Sequence, residues 1–324
     1  MSARRRVLVT GASGFLGMAI VRAARNAGYD VVNIVRKRST SPGSKDTVMC
    51  DLSDLPLLRQ TFEGAFAVIH AAGLAHVFSR EAKKADQFDA INERGSDTVV
   101  NAALSVGVQK IILVSSVSVY GHDGATSGDE TRPCSPRGAY ALSKWRAELR
   151  SMERVGCGPA SLTILRFATI YGEGDPGNIA RLIVALNRGW FIWLGTGLNS
   201  KSVIYKDDAA TACILALNDL RPGVNVFNVA TRPATMQEIV GLICKVLGRP
   251  VPRLRVPDKL LRTLLGLWGN ANRAGRLRAT WQKFIRDDVY SAAKFEEEFG
   301  FQPSTSLSEG IRREVTDLHA SGRL

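Results

Sequence analysis

Val7-Leu-Val-Thr-Gly11-Ala-Ser-Gly14-Phe-Leu-Gly17 stands near the start of the chain and reads as a strand, a glycine turn and the beginning of a helix. The turn needs Gly11, Gly14 lets the backbone come close to an anionic group, and Gly17 permits the following helix to pack tightly on a sheet. The helix N-terminus brings about +0.5 charge toward whatever anion sits there. The spacing is GxxGxxG rather than GxGxxG, and its place at the first strand–helix junction sets it apart from an ordinary turn.

Outward from this loop, short β-branched runs alternate with helical patterns. Strands are predicted over Arg6–Thr10, Val31–Val35, Thr47–Cys50, Ala67–His70, Lys110–Ser115 and Ser161–Arg166. Helices are predicted over Gly17–Asn26, Asp54–Phe62, Asp86–Val106 and Ala139–Val155, with Gly28, Gly107 and Gly156 at their C-terminal caps. Repeated βαβ units predict an α/β fold, a Rossmann-type doubly wound parallel sheet, with residues 1–170 as a dinucleotide-binding domain. From residue 171 to 324 longer helices mix with isolated strands, and Pro250, Pro252 and Pro257 break a basic stretch. This part is expected to form a smaller α/β substrate-binding lobe, with some segments returning to the core, because ligands of open α/β sheets bind outside the carboxyl ends of the strands.

Composition narrows the class. The 324 residues are 45% hydrophobic and 23% charged, enough apolar material for a packed core and no sign of disorder. Arg4–Arg6 precede an apolar stretch, yet glycines interrupt it and no small-residue cleavage pattern follows, so a secretory leader is not expected. No run reaches the ~18 apolar residues of a membrane span, and a soluble, cytoplasmic protein is expected. Five scattered cysteines without a CxxC pair or histidines at ligand spacing read as reduced, buried thiols, with no metal site. The net charge of +13 favours anionic partners. The basic residues are dispersed and form no nucleic-acid module, so an anionic small substrate or an acidic membrane surface explains them as well.

The second predicted strand ends near Val35, where an acidic side chain would bind the ribose 2′-hydroxyl of NAD. Here Arg36, Lys37 and Arg38 follow instead, and such cations suit a 2′-phosphate, so NADP(H) is favoured over NAD(H). A solvated basic turn is the alternative reading. On the helix that begins near Ala139, Tyr140 and Lys144 lie one turn apart on one face. A nearby ammonium favours the phenolate, which would let Tyr140 exchange a proton near neutral pH. Ser115 and Ser116 directly follow the apolar run Ile111–Val114 and complete a possible catalytic set.

Together, Gly11-x-x-Gly14-x-x-Gly17, Ser115-Ser-Val-Ser118-Val-Tyr120-Gly121, Tyr140-x-x-x-Lys144 and Leu165-Arg-Phe-Ala-Thr-Ile-Tyr171-Gly172 resemble the NAD-dependent epimerase/dehydratase group of extended short-chain dehydrogenases, from residue 6 to about 310. The resemblance implies Ser116 as the hydrogen-bond donor to the reacting oxygen, Tyr140 as the proton-exchanging group and Lys144 as the holder of the nicotinamide ribose. It implies a cofactor site of Gly11, Ser13, Gly14, Phe15, Leu16, Gly17, Arg36, Lys37, Asp51, Leu52, Ala71, Ala72, Gly73, Phe167 and Ala168 beside Tyr140 and Lys144. Phe167 stands where the family usually has Pro, and Ala71-Ala72-Gly73 where it has Leu-Ala-Ala. For a nucleotide-sugar substrate it implies His76, Ser118, Thr169, Asn178, Arg181 and Lys201, the last where relatives usually carry Arg.

These features favour an NADP(H)-dependent reductase of a nucleotide-linked 4-keto-6-deoxy sugar in bacterial surface-polysaccharide (lipopolysaccharide) synthesis, working as a homodimer. A UDP-hexose 4-epimerase with tightly held NAD+ is the alternative, and a cofactor-sensing regulator the second alternative. Nucleic acid is not an expected partner. Leu260, Leu261, Leu264, Leu265 and Trp268, interleaved with Lys259 and Arg262, read either as a helix packed on the substrate lobe or as peripheral contact with an anionic membrane without stable insertion. Arg276 and Arg278 are further phosphate candidates.

Overall fold

The alternating runs of the N-terminal half form a parallel sheet in the computed structural model, which describes residues 4–36, 46–75, 81–121, 128–256 and 285–324. Expectations that fell on His76, Lys37, Arg38, Pro257, the Lys259–Trp268 stripe, Arg276 and Arg278 lie outside the described residues. In chain order the first elements are β1 (Arg6–Thr10), α1 (Phe15–Asn26), β2 (Asp30–Val35), β3 (Thr47–Met49), α2 (Leu55–Phe62), β4 (Ala67–His70) and α3 (Glu81–Phe88). A π-helical segment, Asp89–Arg94, leads into α4 (Gly95–Ser105), β5 (Lys110–Ser116), a 3-10 turn (Val117–Tyr120), α5 (Ala139–Val155), β6 (Ser161–Phe167) and β7 (Thr169–Tyr171). Then come α6 (Asn178–Asn187), β8 (Trp193–Leu194), β9 (Ser200–Lys201), β10 (Val203–Tyr205), α7 (Lys206–Ala216), β11 (Gly223–Val229), β12 (Ala234–Thr235), α8 (Met236–Leu247) and β13 (Arg255–Val256). The chain ends with α9 (Ala293–Phe299) and α10 (Leu307–Ala320).

The main sheet has seven strands in the order β11-β6-β5-β4-β1-β2-β3, every pair parallel. Its inner strands are buried on both faces, which explains why they read as continuous apolar runs. Val7, Val9 and Ile112 join the core under α1 and α7, whereas Leu8, Ile111 and Leu113 join the core under α2 and α4, the period-two alternation of a strand. Local signals fix the helix ends. Asp54 accepts a hydrogen bond from the Leu57 amide at the start of α2, and Thr235 and Glu238 close a reciprocal capping box at α8.

Two features differ from the sequence reading. The single helix expected over Asp86–Val106 is divided by the π-helical segment, which turns Asn92 and Glu93 inward. The cysteines are all free, but Cys157 is exposed and Cys134 only half-buried: Cys157 sits in the turn that closes α5, outside the packed layers. Beyond residue 170 the chain feeds both layers. Strand β11 completes the main sheet beside β6, while α6, α8 and α10 gather a separate core around Trp193, Tyr205 and Ile243.

Helix α10 holds the segment after β7 through carboxylates. Glu314 accepts from the Gly172 amide at 3.2 Å and Asp317 from the Gly174 amide at 2.9 Å. Glu314 is fully buried, and burial first, then neighbouring Asp175, pushes its pKa from 4.5 up to about 9. The native state therefore holds a proton that the unfolded chain releases above 4.5, so stability falls as pH climbs through this window. Glu314→Gln removes that dependence. It is expected to raise the unfolding free energy by about 1 kcal/mol or more at pH 8, with the gain shrinking toward pH 5, as measured by urea unfolding across pH.

Candidate functional site

The glycine turn sits where β1 meets α1, at the carboxyl end of the sheet. Gly11 adopts φ +69°, and a Cβ there would lie 2.6 Å from Ala72 Cα, so neither the conformation nor the space admits a side chain. The turn closes through Gly14 N–H to Gly11 O at 2.8 Å. A Cβ on Gly17 would fall 2.0 Å from that same Gly11 carbonyl, so the third glycine fits the helix against the turn itself, a closer constraint than packing on the sheet. Gly14 is exposed and no side chain caps α1 there, which leaves the first helical turn open to an anion. Phe15 and Leu16 are half-buried beside it, and Ser13 is exposed.

Arg36 lies exposed just past β2, and its charge helps hold the Asp51 carboxyl below its usual range, after the hydrogen bonds from Ser53. The structure thus brings together Arg36 and Asp51, which sequence spacing alone does not pair. Ala71, Ala72 and Gly73 run out from the end of β4 next to Gly11, and Phe167 and Ala168 are buried at the end of β6. These residues converge along one crest of the sheet, and their glycine turn, open helix start and neighbouring cation fit a pyridine dinucleotide.

At the end of β5, Ser116 is extended and accepts a hydrogen bond from the Ser118 amide at 3.2 Å. Burial raises the neighbouring Tyr140 phenol above its ordinary value, and the Ser116 hydroxyl opposes that shift. The ammonium expected to do this from the YxxxK spacing is engaged elsewhere: Lys144 Nζ donates to the Val114 carbonyl at 2.7 Å. Burial lowers Lys144 to about 8, opposed by the nearby Glu148 carboxylate. The edge of Phe88 meets the Tyr140 ring at 5.8 Å between centroids, fixing the ring. Among the described residues the Ser118 hydroxyl is buried without a partner, which leaves it available to a ligand.

Several residues that sequence reading passed over support this set. Tyr140, Lys144 and Glu148 follow one another at four-residue steps on α5, so Glu148 extends the same stripe inward. Arg166 donates to both Glu148 oxygens, from Nη2 to Oε2 at 2.7 Å and from Nε to Oε1 at 3.2 Å and Oε2 at 3.1 Å, and from Nη1 to the Tyr120 hydroxyl at 2.9 Å. Ser115 bonds the same carboxylate, and Tyr120 donates to Asn228 at 2.8 Å. A lone charged residue inside the wholly buried strand Ser161–Phe167 was the available signal. Asn92, turned inward by the π segment, carried none.

The residues expected to meet substrate are more dispersed. Thr169 is half-buried in β7, Asn178 is exposed as the first residue of α6, and Arg181 is exposed one turn further. Lys201 lies in β9 with Nζ donating to the Arg286 carbonyl at 2.9 Å.

Comparison with known proteins agrees with this geometry. The model of the NAD dependent epimerase/dehydratase family matches residues 7–230. The chain is similar to an N-acetyl-alpha-D-glucosaminyl-diphospho-ditrans,octacis-undecaprenol 4-epimerase of Escherichia coli O157:H7, 28% identical over 317 residues, 95% of this chain and 93% of the relative. It is also similar to a 2-alkyl-3-oxoalkanoate reductase of Stenotrophomonas maltophilia (strain K279a), 27% identical and covering 95% of this chain and 98% of that one. Among solved structures, MoeE5 in complex with UDP-glucose and NAD superposes with a TM-score of 0.77 at 26% identity, over 98% of this chain and 99% of the other.

The Glu148–Arg166 pair is almost wholly desolvated, with side-chain exposures of 0% and 4%. Arg166→Met strands a buried carboxylate and is expected to cost about 3–5 kcal/mol in urea unfolding, whereas the double replacement with Glu148→Met loses less than the single.

Proposed function

The chain belongs to the NAD dependent epimerase/dehydratase family, and from that premise we propose that it reduces a nucleotide-diphosphate-linked 4-keto-6-deoxy sugar with NADPH, supplying a bacterial surface-polysaccharide precursor. It is an enzyme of the extended short-chain dehydrogenase/reductase type with a Rossmann sheet. What carries the reading is the placement of the Ser116 hydroxyl at the end of β5 beside the Tyr140 phenol, with Lys144 one helical turn along α5.

A bound nicotinamide supplies the hydride. Tyr140 gives its phenolic proton to the 4-oxygen, and Ser116 donates a hydrogen bond to the same oxygen, stabilising charge that grows as the carbonyl is reduced. Tyr140 is protonated at neutral pH and burial raises its phenol further, so it stands as the proton donor that reduction needs. Lys144 holds the ribose and, once charged, favours the phenolate left behind. Ser118, with its buried hydroxyl, and Thr169 meet the sugar. Asn178, Arg181 and Lys201 receive the diphosphate, with Lys201 supplying charge without the bidentate geometry of arginine. His76, outside the described residues, is the further sugar contact.

Arg36 favours NADPH because a cation and no carboxylate follows β2 directly. The second reading, a 4-epimerase with retained NAD+, is favoured by the Escherichia coli relative's name and by the NAD bound in the MoeE5 structure.

Purified enzyme is expected to oxidise NADPH in the presence of a UDP- or GDP-linked 4-keto sugar, and no oxidation with any such sugar overturns the reductase reading. Stoichiometric NAD+ released on denaturation, with epimers interconverted without added cofactor, establishes the epimerase instead. Tyr140→Phe is expected to lower kcat by about 10²–10⁴-fold while dinucleotide binding persists. Arg36→Asp is expected to weaken NADPH binding by about tenfold or more and leave NADH binding nearly unchanged, by fluorescence titration.

A further inference from the structure

His70 ends β4, buried to 1% exposure, and no role in the reaction falls to it. Its ring joins two hydroxyls. Nδ1 lies 2.6 Å from Thr10 Oγ1, and Nε2 lies 2.9 Å from Ser96 Oγ. Each hydroxyl has one further partner, and these partners fix the direction of every proton. Ser96 donates its single hydrogen to the Asn92 carbonyl at 2.5 Å, so toward His70 it can only accept, and Nε2 must carry the hydrogen. In a neutral ring Nδ1 is then an acceptor, and Thr10 donates to it. Thr10 Oγ1 in turn accepts the Ala72 amide at 3.2 Å. Burial pushes the imidazole down to about 3, with Lys144 acting in the same direction, which keeps the ring neutral as this ordering requires.

The chain therefore runs one way, from the Ala72 amide through Thr10, His70 and Ser96 to the Asn92 carbonyl. Its two ends grip the same short stretch. Asn92 uses its side-chain amide to clamp Leu74, accepting from the Leu74 amide at 2.7 Å and donating to its carbonyl at 3.0 Å, and it also donates to Ser143 at 3.0 Å. Ser143 passes the contact to the Tyr140 carbonyl at 2.8 Å. Between the two grips lies Gly73, where a Cβ would sit 3.3 Å from Asn92 Oδ1 and 3.6 Å from Lys144 Nζ.

The structure assigns His70 as a positioning residue: a neutral, Nε2-protonated imidazole that locks residues 71–74 between the glycine turn and α5, so that the cofactor wall and Lys144 keep a fixed spacing. This rests on the proposed function only in taking residues 71–74 as that wall. A cationic ring could not accept from Thr10 and would set a second positive charge near Lys144. A ring protonated at Nδ1 would leave Ser96 and Nε2 facing each other with no hydrogen between them.

Two measurements test it, and neither needs a sugar substrate. Two-bond 15N–1H correlation on histidine-labelled protein is expected to show one imidazole in the Nε2–H tautomer that does not titrate between pH 5 and 9; an Nδ1–H or titrating ring at residue 70, assigned by its loss in His70→Gln, overturns the assignment. Thr10→Val and Ser96→Ala interrupt the chain at opposite ends without emptying the ring's place. Each is expected to weaken dinucleotide binding by about fivefold to tenfold, and the double variant no further, since either break severs the whole chain. Fully additive losses, or unchanged affinity in both single variants, overturn the role. Failure of the reductase reading would show only in the sugar assays and would leave these results standing.

Discussion

The buried pairing of Glu148 with Arg166 fixes where everything else at the crest can stand. Helix α5 carries Tyr140, Lys144 and Glu148 on successive turns of one face, so holding the third against β6 sets the rotation and axial position of the first two. A desolvated ion pair is a poor source of net stability, because the cost of removing two charges from water nearly offsets their attraction. It is an effective source of register, since any slip leaves a charge uncompensated. Tyr120, Ser115 and Asn228 complete the hydrogen bonding around the pair and tie the end of β5 and β11 into the same lock.

This lock also bears on the charge of Lys144. Burial pulls the ammonium toward neutrality and Glu148 pulls it back, leaving it at about 8. A group so placed is mostly charged at neutral pH yet sensitive to what is added beside it. His70, at the end of β4, contributes no charge because its ring is neutral, so Glu148 on α5 is the charge that opposes burial at Lys144.

Much of this was legible in the sequence, and the reason is geometric. A parallel sheet buried on both faces leaves little freedom in composition, and all six predicted strands start and end within one residue of their observed limits, with Arg6–Thr10 and Ala67–His70 matching outright. The glycine turn was legible because Gly11 and Gly17 face steric demands that no other residue meets. Less could be read where backbone geometry departs from regular periods. The π segment shifts Asn92 off the face that a 3.6-residue repeat assigns to it, and no pattern of apolar residues announces such a shift. The strand β11, among residues read as substrate lobe, pairs with β6 across a long stretch of chain that spacing does not resolve.

The contrast between Tyr140 and its neighbours shows what spacing can and cannot say. Four-residue separation places a phenol and an ammonium on one helix face, and both were expected to act on each other directly. Where each head group points depends on the strand beneath: Val114 offers its backbone carbonyl to Lys144, and Ser116, two residues on, brings its side-chain hydroxyl to Tyr140. Burial accordingly raises the Tyr140 phenol and the Ser116 hydroxyl opposes that shift, while Lys144 turns to a backbone carbonyl. The division follows from two residues on β5 rather than from the helix that carries the tyrosine.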